Sequence, residues 1–185
     1  LLDGKYRYNG REYEMPKHGF ARHSVFALKE QSEDSMTFSL ASSDETRKCY
    51  PFEFELLIKY SVSGHTLRCT STVINKTDGE MYFSIGAHPG FNCRIGDAIE
   101  FEKDENLRTM RIDSSSILMD ETFPVELENG RTIRLTEHIF DKDALILEGL
   151  NSESLRLVSG DRTVNFTFGK APYLGIWAKP NAPYV

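Results

Sequence analysis

The sequence is poor in the features that mark secreted, membrane-spanning and nucleic-acid-binding proteins. Its 185 residues include only 3 cysteines, Cys49, Cys69 and Cys93, an odd number without CxxC spacing. Such a set closes no complete disulfide framework, so a reducing, cytoplasmic setting is expected. No apolar run approaches the roughly 18–20 residues of a membrane-crossing helix. The opening, Leu1-Leu2-Asp3-Gly4-Lys5, lacks the charged and then apolar regions of a secretory signal. An initiator methionine is missing too, from which a chain processed, trimmed or incomplete at its front is expected. Positive charge is scarce: 22 Lys and Arg against 28 Asp and Glu leave a net charge of -6. Phosphate-backbone affinity rests on a Lys/Arg footprint, so neither nucleic acid nor a membrane is expected as a partner.

Helical periodicity is also scarce. No amphipathic helix longer than two turns is expected, and the best short candidate is 135–140. What is present instead is a period of two. Lys5-Tyr6-Arg7-Tyr8-Asn9-Gly10-Arg11-Glu12-Tyr13-Glu14-Met15 places alternating residues on both sides of an Asn-Gly pair suited to a type I′ turn, which predicts a hairpin. The same pattern recurs over 125–135 around Asn129-Gly130. Further strands are expected at 36–40, 52–62, 66–74, 81–85, 98–102, 144–147, 154–158, 163–168 and 174–178. Turn residues punctuate them every ten to fifteen positions or so, the rhythm of an antiparallel sandwich or barrel. The stretches 32–34 and 42–48 read as solvated loops. With 12 Phe and 8 Tyr for a core and no linker-like run, residues 1–185 are expected to form a single β-sandwich domain.

Several chemistries lack their signatures. There is no GxSxG elbow, no phosphate loop, and no HxH, HExxH or CxxC pair. A three-ligand metal set of His18, His88 and Asp143 gains no support from spacing, and Cys93 stands in no pattern that activates a thiolate. Two segments do stand out: Pro16-Lys17-His18-Gly19-Phe20-Ala21-Arg22 and Ser84-Ile85-Gly86-Ala87-His88-Pro89-Gly90-Phe91-Asn92. Each sets a histidine beside glycine in a proline-stiffened turn at the end of an expected strand, where an imidazole can be presented rigidly. His23, His65 and His138 read as ordinary surface residues. What these features leave open is general acid–base chemistry by histidine, suited to hydroxyls and hemiacetals, with carbohydrate as the substrate class.

At these two motifs the sequence resembles the aldose 1-epimerase (mutarotase) family, in the branch that carries PKHGFAR and GAHPGFN. Ile139-Phe140-Asp141-Lys142-Asp143-Ala144-Leu145-Ile146 resembles the family's later acidic segment, and Pro172-Tyr173-Leu174-Gly175-Ile176-Trp177 its near-terminal strand. The resemblance implies an all-β fold, the antiparallel galactose mutarotase-like supersandwich, with a sugar site on a concave sheet face. It implies His88 as the acid that protonates the pyranose ring oxygen and His18 as a catalytic histidine that binds or polarises the sugar. Asp143, with Asp141 as rival, would bind sugar hydroxyls. Arg22 would contact a hydroxyl or an anionic group, an ion pair within the protein being the other reading. The partner implied is a small-molecule sugar or sugar phosphate. No cofactor is implied, because ring opening and reclosure involve no net redox change.

The resemblance also implies segments that residues 1–185 do not match. The family's general base is a Glu beyond the strand corresponding to 182–185, and family members carry strands before the position of Leu1. The chain is therefore expected to be the central part of a longer protein, incomplete at both termini. Glu148 and Glu153 sit elsewhere in the pattern and are not assigned as the base. Residues 1–185 alone would then be nearly inactive, since losing an acid or base costs about 10²- to 10⁴-fold. A carbohydrate-binding or regulatory module on the same fold is the alternative expectation.

Overall fold

In the computed structural model, which describes residues 1–113, 115, 117–180 and 182–185, Asn9 and Gly10 stand at φ 47° and 76°. Two consecutive left-handed residues make the turn whose twist matches that of a hairpin. It joins strands β1 (Lys5–Tyr8) and β2 (Arg11–Glu14), with Tyr8 opposite Arg11. The chain divides into two compact units, Leu1–Gly86 and Ala87–Val185.

In the first unit, β3 (Ala27–Gln31), β4 (Ser35–Ala41), β5 (Phe54–Ser63) and β6 (Thr66–Asn75) form a four-stranded antiparallel sheet in sequence order. Between β4 and β5 lies a helix, α1 (Asp44–Cys49), where a solvated loop was expected. Its start is a capping box: the Ser43 hydroxyl accepts from the Thr46 amide at 3.2 Å while the Thr46 hydroxyl accepts from the Ser43 amide at 2.8 Å. Asp44 and Glu45 in the first turn and Arg47 and Lys48 in the last complement the helix dipole. Against these elements Tyr8, Phe20, Tyr50, Phe52, Phe54 and Tyr82 build an aromatic cluster.

The second unit is a sandwich of two antiparallel sheets. One has the order β10-β7-β12-β13, from β7 (Ala98–Phe101), β10 (Thr132–Arg134), β12 (Ser154–Ser159) and β13 (Arg162–Thr167). The other has the order β14-β11-β8-β9, from β8 (Arg108–Ile112), β9 (Leu118–Pro124), β11 (Leu145–Glu148) and β14 (Tyr173–Ile176). Alternate side chains of each sheet meet in one core: Ile99, Phe101 and Leu157 from the first, Leu145, Leu147 and Ile176 from the second. Leu147 is 0% exposed and Ile133 1%. Burying a side chain of that size stabilises the fold by about 1.5–3 kcal/mol.

Four expectations are corrected. Residues 81–85 form no strand, although Tyr82, Phe83 and Ile85 are β-prone; a strand exists only where a neighbour supplies a ladder, and none pairs with them among the described residues. The turn at Asn129-Gly130 forms, with φ 51° and 72°, yet the hairpin around it shrinks to one bridge, Glu128 with Thr132. β10 pairs with β7 instead, and the Val125 amide donates to the Leu107 carbonyl at 3.0 Å. Residues 135–140 run from an irregular stretch into turns rather than a helix. The fourth is α1 itself. Among the described residues no helix is long and apolar enough to cross a membrane.

Candidate functional site

Residues 16–19 form a tight turn closed by the Gly19 amide donating to the Pro16 carbonyl at 2.9 Å. His18 takes φ 68° and Gly19 φ 72°. A left-handed backbone is ordinary for glycine and costs a side-chain-bearing residue on the order of 1–2 kcal/mol. His18 is thus held in a strained conformation, with its imidazole exposed. Such strain persists only where surrounding structure over-determines the backbone, and it gathers at sites that do chemistry.

The chain leaves this turn through Phe20, whose ring sits 5.9 Å from those of both Tyr50 and Phe54. A 3₁₀ turn, Ala21–His23, follows, and the Ser24 hydroxyl donates to the Phe20 carbonyl at 3.1 Å. Arg22 lies on that turn, exposed, with no carboxylate in ion-pair range among the described residues. The reading of Arg22 as a partner in an ion pair within the protein therefore gains nothing.

In the second unit, His88 is exposed in the irregular stretch 80–90. Just past it, the Phe91 amide donates to the Val185 carbonyl at 2.8 Å and the Val185 amide returns the bond to Phe91 at 2.9 Å. The Cys93 amide donates to the Pro183 carbonyl at 3.0 Å, and the Phe91 ring packs 5.9 Å from that of Phe166. His88 is therefore three residues from an anchored backbone. Unlike Gly19, neither Gly86 nor Gly90 is left-handed, and a Cβ on either would meet nothing within 4 Å. The Gly/Pro-stiffened turn expected around His88 does not form, and a side chain would fit at either glycine. Cys93 is buried, which pushes its thiol above the usual range.

Asp143 sits immediately before β11 with φ 73°, its amide donating to the Phe140 carbonyl at 3.0 Å and its own Oδ1 accepting from the Ala144 amide at 2.8 Å. It lines an open cavity of about 710 Å³ in the second unit. Asp141 lines the same cavity but is engaged with His138, Nδ1 to Oδ2 at 2.9 Å. Arg111 and Arg134 contribute cationic walls. The Arg111 guanidinium lies 3.8 Å from the centre of the Phe123 ring, and Arg134 pairs with Glu128, holding that carboxyl below the usual carboxylate range. His138, expected as a surface residue, is exposed and also lines this cavity. The available signal was its His-x-x-Asp spacing inside a turn. Among the described residues no group of three or more His, Cys, Asp or Glu is placed to hold a metal ion.

His18 and Arg22 thus lie on two successive turns of the first unit, and His88 and Asp143 lie in the second. An all-β antiparallel chain with one histidine in a strained turn and another in an irregular segment defines the class that a comparison with known proteins makes specific. Residues 2–183 match the family model described as aldose 1-epimerase, and the chain belongs to that family. It is 32% identical over 184 residues to the plasmid-encoded protein LacX of Lactococcus lactis subsp. lactis, with 91% of this chain and 60% of LacX covered. The solved structure of a galactose mutarotase related enzyme from Lactobacillus acidophilus matches at a TM-score of 0.84 and 29% identity, covering 98% of this chain and 64% of that one. A galactose mutarotase-like protein from Lactobacillus casei matches at 0.84 and 26%, covering 98% and 66%. The chain therefore spans 60% of the length of LacX and about two thirds of the length of the two solved relatives.

Proposed function

We propose that the chain carries the histidine half of an aldose 1-epimerase-type active site, in a protein that interconverts the α and β anomers of an aldose. His88 gives a proton to the ring oxygen as the C1–O5 bond breaks and the C1 hydroxyl gives up its own proton. Rotation about C1–C2 and reclosure on the other face complete the exchange, with no electrons gained or lost. His18 polarises the sugar, and Arg22 and Asp143 bind its hydroxyls or an anionic substituent. No residue of 1–185 is assigned as the base. Histidine is the side-chain type most often used for such proton transfer.

The observation that carries this reading is the strained backbone of His18, in a chain whose residues 2–183 match the aldose 1-epimerase family model. The free thiols of Cys49, Cys69 and Cys93 support a reducing, cytoplasmic setting.

The test is polarimetry of freshly dissolved α-anomers of glucose, galactose and glucose 6-phosphate, using the protein as its gene encodes it. Acceleration over buffer is expected for at least one sugar. His88→Asn should lower the rate about 10²- to 10⁴-fold. Acceleration of the phosphate alone would give Arg22 an anion to contact. No acceleration for any sugar ends the proposal, and sugar-dependent Trp177 fluorescence without anomer exchange would make the protein a binding module instead.

A further inference from the structure

Residues 17–19 are exposed or only half-buried, carry two successive left-handed residues, and are closed by a single turn hydrogen bond. That bond alone does not over-determine a strained His18. The large apolar side chain of 16–22 is Phe20, two residues after His18 and two before Arg22. Phe20 is seated against Tyr50 and Phe54 with ring centroids 5.9 Å from each. Phe54 and Phe52 are buried to 5% and 3% exposure and so form a fixed floor.

Tyr50 stands where this floor ends. It is the residue that closes α1, its amide donating to the Thr46 carbonyl at 2.8 Å. Its ring lies 4.8 Å from Phe52 and 5.6 Å from Phe54, at 56° and 70°, tilted and edge arrangements favoured between aromatic quadrupoles. A phenylalanine would meet every one of these contacts. The hydroxyl does something else: it donates to the Tyr82 carbonyl at 2.7 Å. Tyr82 lies in the irregular stretch 80–90, which runs on, six residues later, to His88. Burial lifts the Tyr50 hydroxyl above its ordinary pKa, so it remains a donor at neutral pH.

We infer that Tyr50 is a positioning residue. Its ring holds Phe20, which links the His18 turn to the 3₁₀ turn of Arg22, and its hydroxyl fixes the backbone at Tyr82 from which the His88 segment departs. The relevance to sugar chemistry rests on the function proposed above, whereas the positioning itself is read without any substrate.

Backbone amide relaxation of the same protein gives that reading. Order parameters near 0.85 mark a rigid backbone and values below 0.6 a flexible one. Tyr50→Phe keeps the ring, so His18 and Gly19 should stay rigid while residues 82–86 fall toward 0.6. Tyr50→Leu should loosen both segments. Phe20→Leu should loosen 18–22 and leave 82–86 as they were, and it decides the ring's role if Tyr50→Leu does not fold. Rigid 18–22 in both leucine variants, or rigid 82–86 in Tyr50→Phe, overturns the inference. Where anomer exchange is accelerated, Tyr50→Leu should lower kcat by up to about 10²-fold, as displaced reacting groups do, and Tyr50→Phe should recover part of it. Loosened segments with an unchanged kcat in both variants also overturn the positioning role. A protein with no anomer exchange fails the proposed function, while the order parameters still judge Tyr50.

Discussion

His18 carries a conformation that its side chain disfavours, and the residue beside it shows how the cost can be measured. Gly19, at φ 72°, has nothing within 4 Å of where a Cβ would stand, so its requirement for glycine is conformational rather than steric. Gly19→Ala should therefore destabilise by about 1–2 kcal/mol without any clash. His18→Gly should do the reverse, raising the stability read from urea unfolding by about 1 kcal/mol while removing whatever chemistry the imidazole performs. An unchanged or lower stability in His18→Gly would mean that the imidazole contributes contacts outweighing the backbone strain. Asp143, also left-handed at φ 73°, is a milder case, because aspartate tolerates that region and its Oδ1 is satisfied by the Ala144 amide.

Both histidine motifs were legible in composition, but only His18 sits in a turn after a strand; His88 lies in an irregular stretch because residues 81–85 pair with no strand among the described residues. The strain at His18, the freedom of Gly86 and Gly90 and the engagement of Asp141 with His138 were not legible, because each depends on backbone angles or on partners that spacing does not encode.

At the scale of elements, local chemistry sufficed where a turn dictates its own geometry. Asn9-Gly10 fixes β1 and β2 by two positive φ angles and needs no distant partner. β4, β5, β6, β12 and β13 were legible from alternation. β3 was not, since Ala27-Leu28-Lys29-Glu30-Gln31 are mostly weak strand formers, and the strand exists because β4 offers it a ladder. The opposite error, at 81–85, has the same origin. α1 leaves little trace in the sequence because its box closes with Thr46 rather than the usual Glu or Gln, and six residues give little periodicity.

The junction of α1 with the first hairpin also responds to pH. The Tyr6 hydroxyl donates to the Cys49 carbonyl at 2.8 Å, and burial pushes its pKa from 10.0 up to about 12. Its neutral form is thus favoured in the folded state. The associated stability is complete below pH 10, where the unfolded tyrosine is also neutral, and is lost as pH rises toward 12. Tyr6→Phe should be less stable than the wild type by about 1 kcal/mol at pH 8, the loss of one hydrogen bond. The gap should narrow between pH 10 and 12 in urea titrations, and a gap that stays constant there would contradict the burial of that hydroxyl.

For the molecule as a whole, a net charge of -6 and free thiols describe its chemical character but do not specify its fold, whereas the second unit's core does specify one. That core joins two sheets whose strands come from across residues 98–176, so its integrity tests the order β10-β7-β12-β13 against β14-β11-β8-β9 directly. Leu147 is the informative position: fully buried on β11, paired with Leu174 of β14 and Thr109 of β8, and facing the opposite sheet's apolar residues. Leu147→Ala removes its buried methyl groups and leaves a void, which should cost about 2–5 kcal/mol. Leu147→Met keeps the volume and should cost under about 1.5 kcal/mol. Trp177, the single tryptophan, follows β14 in the same unit and reports the unfolding by its emission. A loss below about 1 kcal/mol in Leu147→Ala would mean that Leu147 does not lie between the two sheets, and the pairing of β11 with β14 and β8 would have to be redrawn.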